Sequence, residues 1–341
     1  MLIALLLCLL AQAAPARALE GATREITDMA GRKVTIPATI SKVYGASPPA
    51  NHLLYAVAPD LMAGLSLPIS DSDKPFVRPG VARLPVLGGI FGRGRHFNPE
   101  EVLKAKPDFV LAWVEKHGNV ANTEESFSRI GLPVVVVRLD TLSDYPATLT
   151  FLGDVLGRSE RAKALADYIA AAIARVGAAT SDISPEKRIN VFYAETADGL
   201  TTECDQSFHV EPIRVAGGEN VHHCRQSTRM GMEKISLEQI IAYQPELILA
   251  QDRRFAASVA SNPTWRNVEA VKTGRITAIP RVPFNWLDRP PSFMRALGIQ
   301  WLANLFYPDR FPLDLKAETK AFYKLFVGVD LTDSDVETIL K

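Results

Sequence analysis

The chain writes one phrase twice: NPEEVLKAKPDFVLAW at residues 98 to 113 and SLEQIIAYQPELILAQ at residues 236 to 251. Each copy opens on a good helix N-cap, Asn98 or Ser236, runs two helical turns, meets a proline that cannot continue the helix, and ends in a short apolar run suited to a buried strand. Upstream of each copy the order strand, polar loop, helix repeats more faintly, as VYGASPPANHLLYAVAPD and as VFYAETADGLTTECDQSFHVEPIRVAGGENV. Apolar runs such as LPVLGG, DFVLAW and LPVVVVRLD alternate with helical segments, which implies a mostly parallel sheet covered by helices. The expected fold is therefore α/β, with two similar Rossmann-like lobes and a ligand cleft between them.

Between the copies, residues 144–182 are Ala-rich with no strand signal until KRINVFYAE, and they predict a long backbone helix that joins the lobes. Such a connector is stiffer than a Gly/Ser linker, so modest rocking is expected rather than wide hinge closure. The expected organisation is a signal peptide over 1–18, an N-terminal lobe over 19–143, the connecting helix over 144–182, and a C-terminal lobe with its terminal helices over 183–341. REITDMAGRKVTIP reads as a hairpin about an AGR turn. The tail PPSFMRALGIQWLANLFYP reads as amphipathic helix that finishes the second lobe or packs back on the first, with Trp301 and Phe306 in the core.

The first 18 residues, MLIALLLCLLAQAAPARA, have the apolar core of a signal peptide and end in a small-x-small pattern that places cleavage after Ala18. Export to the periplasm is expected. LLLC lacks the small residues that precede a lipidated cysteine, so Cys8 leaves with the signal. Cys204 and Cys224 then remain as a pair in an oxidising compartment, and a disulfide between them is expected. Lys plus Arg and Asp plus Glu balance at 38 each, so no global field recruits nucleic acid or an anionic membrane, and any charged-ligand site must be local.

ITDMAGRKVTIP, the two doubled phrases, RSERAKALADYI, HVEPIRVAGGENV and NWLDRPPSFMRALGIQWLANLFYP, in this order, resemble the helical-backbone (class III) periplasmic substrate-binding proteins of ABC importers. That family carries ferric siderophores, haem, cobalamin and related metal complexes, and some members bind molybdate or tungstate. The resemblance implies a carrier, not an enzyme, that works as a monomer without a cofactor and partners a permease in the inner membrane. It also implies one docking carboxylate on each lobe, and by motif position these are Glu100 and Glu238. The same residues read without it are acids complementing a helix N-terminus.

Ligands in such sheets sit beyond the carboxyl ends of strands. The loops there offer Tyr44, Ser47, Pro48, Pro49 and Asn51; Arg93, Arg95 and His96; Trp113, Glu115 and Arg138 in the first lobe. The second offers Glu195, Thr196, Thr201, Ser207 and His209; Asp252, Arg253 and Arg254; Trp286, Asp288 and Arg289. Arginine forks suit an anionic ligand and the tryptophans suit its walls, whereas YGASPPAN after a strand suggests backbone donors for an oxyanion. Asp288 equally suits an internal pair with Arg289 or Arg295. His209, His222, His223, Cys204 and Cys224 cluster in sequence without the spacing of a zinc motif, so no protein-held metal is expected directly, and His209 is the candidate to touch a ligand or the metal of a chelate. The cargo is expected to be a ferric siderophore or related chelate, with molybdate or tungstate as the alternative. A sensor or enzyme on the same framework is the alternative of another class, although no G-x-S-x-G elbow is present.

Overall fold

A computed structural model of the chain describes residues 21–90, 96–115, 118–226 and 231–341. The signal segment and Arg93 and Arg95 lie outside the described residues. Strands β1 (Thr23–Thr27) and β2 (Lys33–Pro37) form the expected hairpin. Asp28 closes its turn by accepting from the Ala30 and Arg32 amides, and its second carboxylate oxygen accepts from the Val136 amide. One buried acid thus ties the hairpin to the first lobe.

That lobe is built on β3 (Val43–Gly45), α1 (Pro48–Val57), a short α2 (Pro79–Ala82), α3 (Pro99–Ala105), β4 (Phe109–Trp113), α4 (Val120–Ser128) and β5 (Val134–Val137). Its strands run parallel in the order β3-β4-β5. LPVLGG adds no strand, only single parallel bridges of Leu65 to Val86 and Gly89 to His96.

The connector is two helices rather than one, α5 (Tyr145–Leu156) and α6 (Ser159–Thr180). Gly157 adopts φ 64°, which only glycine takes without strain, and it ends α5 before Ser159 starts the next helix. The two pack closely: a Cβ on Gly153 would lie 2.3 Å from that of Ala162. Ala162, Leu165, Ala166, Ile169, Ala172 and Val176 form the buried stripe of α6 at helical spacing.

The second lobe carries β6 (Ile189–Ala194), β7 (Thr201–Thr202), α7 (Glu211–Val215), β8 (Gly218–Asn220), β9 (Glu233–Lys234), α8 (Leu237–Tyr243), β10 (Leu247–Ala250), α9 (Arg253–Val259), α10 (Glu269–Lys272) and β11 (Ile276–Ala278). Its main sheet is parallel in the order β11-β10-β6-β8.

The doubled phrase folds the same way twice. Asn98 and Ser236 cap α3 and α8 by accepting from the amides of Glu100 and Gln239. Each helix ends on a left-handed residue, Lys106 at φ 55° and Gln244 at φ 48°, just before its proline. Each then feeds an interior strand, β4 or β10, flanked on both sides.

The tail continues as α11 (Arg295–Phe306), α12 (Leu315–Phe322) and α13 (Asp333–Leu340). It returns to the first lobe, where the Tyr55 hydroxyl donates to the Val327 carbonyl at 2.8 Å. Trp301 and Phe306 are buried as expected. One apolar cluster runs from α1 through α5, α6 and α11 into β6 and β10, so the lobes share a core.

Candidate functional site

The carboxyl ends of the two sheets face one another, and the lobes touch where Trp113, at the end of β4, meets the Phe208 ring edge-on at 6.0 Å between centroids. Phe208 packs on His209 at 3.9 Å. A cavity of about 220 Å³ opens between Asn51, His52 and Ser66 on the first lobe and Arg281, Asn285 and Arg289 on the second.

Two buried charge networks underlie the second lobe's face. In the first, Asp288 is fully buried and accepts from His209 Nδ1, while its other oxygen takes Arg295 Nη2 at 2.8 Å. Arg295 also reaches the Leu287 and Phe208 carbonyls and lies 3.4 Å from Glu211, whose carboxylate crosses to the Leu142 amide at 2.9 Å. Burial alone would raise the Asp288 carboxyl, but the His209 ring and the guanidiniums of Arg295 and Arg289 outweigh it and hold the group below its usual range. Charges this deep persist only when paired and hydrogen-bonded, as these are. The network leaves one atom without a protein partner, His209 Nε2.

In the second network, Arg289 donates to Glu195 at 2.7 Å and also to Glu203. Glu203 is raised to about 8, by burial first and by the Glu195 charge second, against the pull of Arg289. Ser207 bonds this carboxylate as well, and the Met232 amide donates to it at 2.9 Å.

Ser47, the N-cap of α1, keeps a buried hydroxyl with no partner, and so does Trp113 Nε1. Pro48 and Pro49 remove two of the amides a helix N-terminus normally offers, so YGASPPAN is a poorer backbone cradle than its position suggests. Cys204 and Cys224 are bridged across a sequence separation of 20, which fixes the segment carrying Ser207 and His209. His222 lies beside the bridge and bonds the Tyr243 hydroxyl at 2.9 Å, and His223 turns to Asp205 at 3.3 Å.

Several of the expected ligand residues are used internally. Tyr44 is buried and donates to the Gly88 carbonyl. The Asn51 side chain donates to the Gly64 carbonyl, and Arg138 to the Val114 and Glu115 carbonyls. Arg253 reaches the Ile339 carbonyl in α13, and Arg254 pairs with Asp252 on the surface. Thr196 donates to Asp198, Thr201 lies in β7, and His96 is exposed. Trp286 is a core residue, fully buried against Trp301. Glu100 and Glu238 stand exposed in the first turns of matched helices. Sequence reasoning passed over His52, Glu203 and Glu211, whereas the internal pair of Asp288 with Arg295 that it offered is present at 2.8 Å.

Residues 90–283 match the family described as periplasmic binding protein. The molybdate-binding protein MolA of Haemophilus influenzae is 26% identical over 332 residues, covering 89% of this chain and 91% of the relative. A vitamin B12-binding protein of Pectobacterium carotovorum is 27% identical over 152 residues, covering 45% of this chain and 53% of the relative. Among solved structures, an ABC transporter solute binding protein from Sulfurospirillum deleyianum superposes with a TM-score of 0.87 at 36% identity, covering 93% of this chain and 98% of the other.

Proposed function

Because the chain belongs to the periplasmic binding protein family of ABC transporters, we propose that it captures a compact metal complex between its lobes and hands it to an inner-membrane permease. Members of this family bind and deliver substrates rather than transform them. The observation that carries the reading is the cavity of about 220 Å³ lined by both lobes, with polar side chains from each and Arg289 held in an ion pair with Glu195. Its volume is below the roughly 300 Å³ at which sites for drug-sized ligands begin. Macrocycles such as haem or a corrinoid need more room, so a small chelate fits the cavity better.

Molybdate or tungstate is the second reading, favoured by the similarity to a molybdate-binding protein along 89% of the chain. Ser66, Arg281, Asn285 and Arg289 are polar side chains lining the cavity that either cargo would engage. Glu100 and Glu238 supply the permease contact, one from each lobe, and exposed carboxylates of this kind set steering and register more than affinity. The leader over residues 1–18 exports the protein to the periplasm and is removed after Ala18. Among the described residues no helix is long and apolar enough to cross a membrane.

A thermal-shift screen of residues 19–341 against ferric siderophores, nickel chelates, haem, cobalamin, molybdate and tungstate tests the reading. A ligand at about 100 times its Kd stabilises a one-site protein by roughly 2.7 kcal/mol. A shift with a small chelate or oxyanion is expected. A shift with the macrocycles alone, or with nothing, overturns the reading.

A further inference from the structure

The Cys204–Cys224 bridge has a third donor beside it: both sulfurs and a ring nitrogen of His222 lie within 4.8 Å of one another. None of the three residues lines the interlobe cavity. His222 Nδ1 and the Tyr243 hydroxyl are 2.9 Å apart, which leaves Nε2 for another partner. A polar group behind one ring nitrogen is how metal-binding histidines are oriented. Two thiolates and an imidazole are donors that suit zinc(II). While the sulfurs are bonded to each other they offer no thiolate, so the set becomes complete only on reduction.

Hydrogen bonds hold these residues together independently of the bridge. The Asp205 amide donates to the His222 carbonyl at 2.9 Å, the Cys224 amide to Asp205 Oδ1 at 3.3 Å, and Asn220 Nδ2 to the Glu203 carbonyl at 2.7 Å. They pin residues 203–205 against 220–224 around the sulfurs, and none of them involves a sulfur. The two Cα atoms lie 5.0 Å apart. Cut free, the thiols therefore stay facing one another with His222 beside them. Cys204 is fully buried and Cys224 half-buried, so Cys224 Sγ is where a reductant, and then an ion, gains entry.

We propose that the pair is a redox-gated metal site: bridged it is a covalent clip, and reduced it joins His222 Nε2 in holding a zinc(II) ion, with water in the fourth position. A dithiol supplies the two electrons. Its thiolate attacks Cys224 Sγ, Cys204 leaves as the thiolate and takes a proton, and the reductant's second thiol then releases Cys224 and closes its own disulfide. As the zinc–sulfur bonds form, the two cysteine thiols give their protons to solvent and their charges balance that of the ion. Bridge and metal in turn tie the segment carrying Ser207 and His209 to the edge strand β8, which keeps that segment in place in either redox state.

The test uses the mature protein, residues 19–341, stripped of metal and divided into a bridged and a reduced sample. Dithiothreitol is the reductant and is removed by desalting without air, and a thiol count confirms that both cysteines are free. Zinc(II) affinity is read by competition with a chromophoric chelator, and cobalt(II) is followed by absorption. Reduced protein is expected to bind zinc in equal amount to the chain, to develop a sulfur-to-cobalt charge-transfer band in the near ultraviolet, and to gain urea resistance on adding zinc. Bridged protein should do none of these. His222→Phe, which keeps a ring beside Tyr243, should lose the tight zinc binding. Tyr243→Phe removes only the hydroxyl behind the ring and should weaken zinc about 10-fold, the lower end of what outer partners contribute. His223→Ala, removing the neighbouring exposed imidazole, should change nothing. Reduced protein that takes up no zinc, equal affinity in the two samples, or a cobalt spectrum without the sulfur band overturns the inference. So does zinc binding that survives His222→Phe and is lost in His223→Ala, which would move the ion to the surface beside Asp205 and Glu219.

Discussion

Replacing Asp288 by alanine tests whether the first buried network holds the second lobe's ligand-facing loops in place. In the wild type its carboxylate, with no exposed surface, accepts from His209 and from Arg295 at 2.8 Å and lies 3.7 Å from Arg289. Arg295 is equally buried, so the substitution leaves a guanidinium in the interior with only Glu211 at 3.4 Å as counter-charge. Removing one partner of a buried pair costs about 3–5 kcal/mol, mostly the penalty of the charge left behind. Urea unfolding followed by fluorescence measures it, and the shared core favours a single transition. With a slope of about 3 kcal/mol/M the midpoint should fall by about 1 to 1.7 M. Asp288→Asn keeps an oxygen for Arg295 and should lose less. Adding Arg295→Met to Asp288→Ala removes the stranded charge, and the double-mutant cycle should show coupling of about 1–3 kcal/mol. A loss below about 1 kcal/mol for Asp288→Ala, or additive single effects, would refute the claim that these charges depend on one another.

Reduction of the Cys204–Cys224 bridge, which spans 20 positions, should lower stability by about 3 kcal/mol, read as separate urea midpoints with and without dithiothreitol. His52 gives a pH signature: its folded value near 4 lies below the usual 6.5, so its contribution is present above pH 6.5 and is lost as pH falls toward 4. That loss is worth about 3 kcal/mol, and His52→Phe should flatten this limb of the stability profile. Glu203 acts with the opposite sign, since a carboxyl raised to about 8 stabilises the fold most at low pH and loses that contribution as pH climbs through 8. Glu100→Lys with Glu238→Lys should abolish uptake in a cell assay while leaving ligand affinity within about twofold, because opposite charges at such a contact act on docking.

The doubled phrase was legible because its information is local. An N-cap, seven helical residues, a left-handed stop and a proline decide the geometry of Asn98–Pro107 and Ser236–Pro245 with little help from the rest of the chain. The break in the connector was local too, but one glycine was easy to pass over in an Ala-rich run: Gly157 turns left-handed and Ser159 restarts the helix. The site was less legible because its residues were ranked by chemical type and loop position, and neither reports whether a side chain is already satisfied. Arg138, Arg253 and Asn51 look like ligand contacts in sequence, yet each is held by a backbone carbonyl that no local pattern names. His52 erred the other way. It hides in the apolar helix PPANHLLYAV, and only the approach of Phe284 and Pro291 from the far lobe makes it a cavity residue.

The architecture also limits how the cargo can leave. An apolar cluster continuous from β5 through α5, α6 and α11 to β6 and β10 resists wide hinge opening, because separating the lobes would expose parts of a shared core. The Trp113–Phe208 contact and the Leu142–Glu211 hydrogen bond add ties across the mouth. Small changes in lobe angle are therefore all that ligand binding can draw on. A permease can drive release only by preferring the splayed arrangement, and the preference it applies equals its differential affinity for the two states. On the docking role proposed for Glu100 and Glu238, whose helices are capped by Asn98 and Ser236 on opposite lobes, a permease holding both lobes can prise them apart, whereas a grip on one lobe would only move the whole molecule.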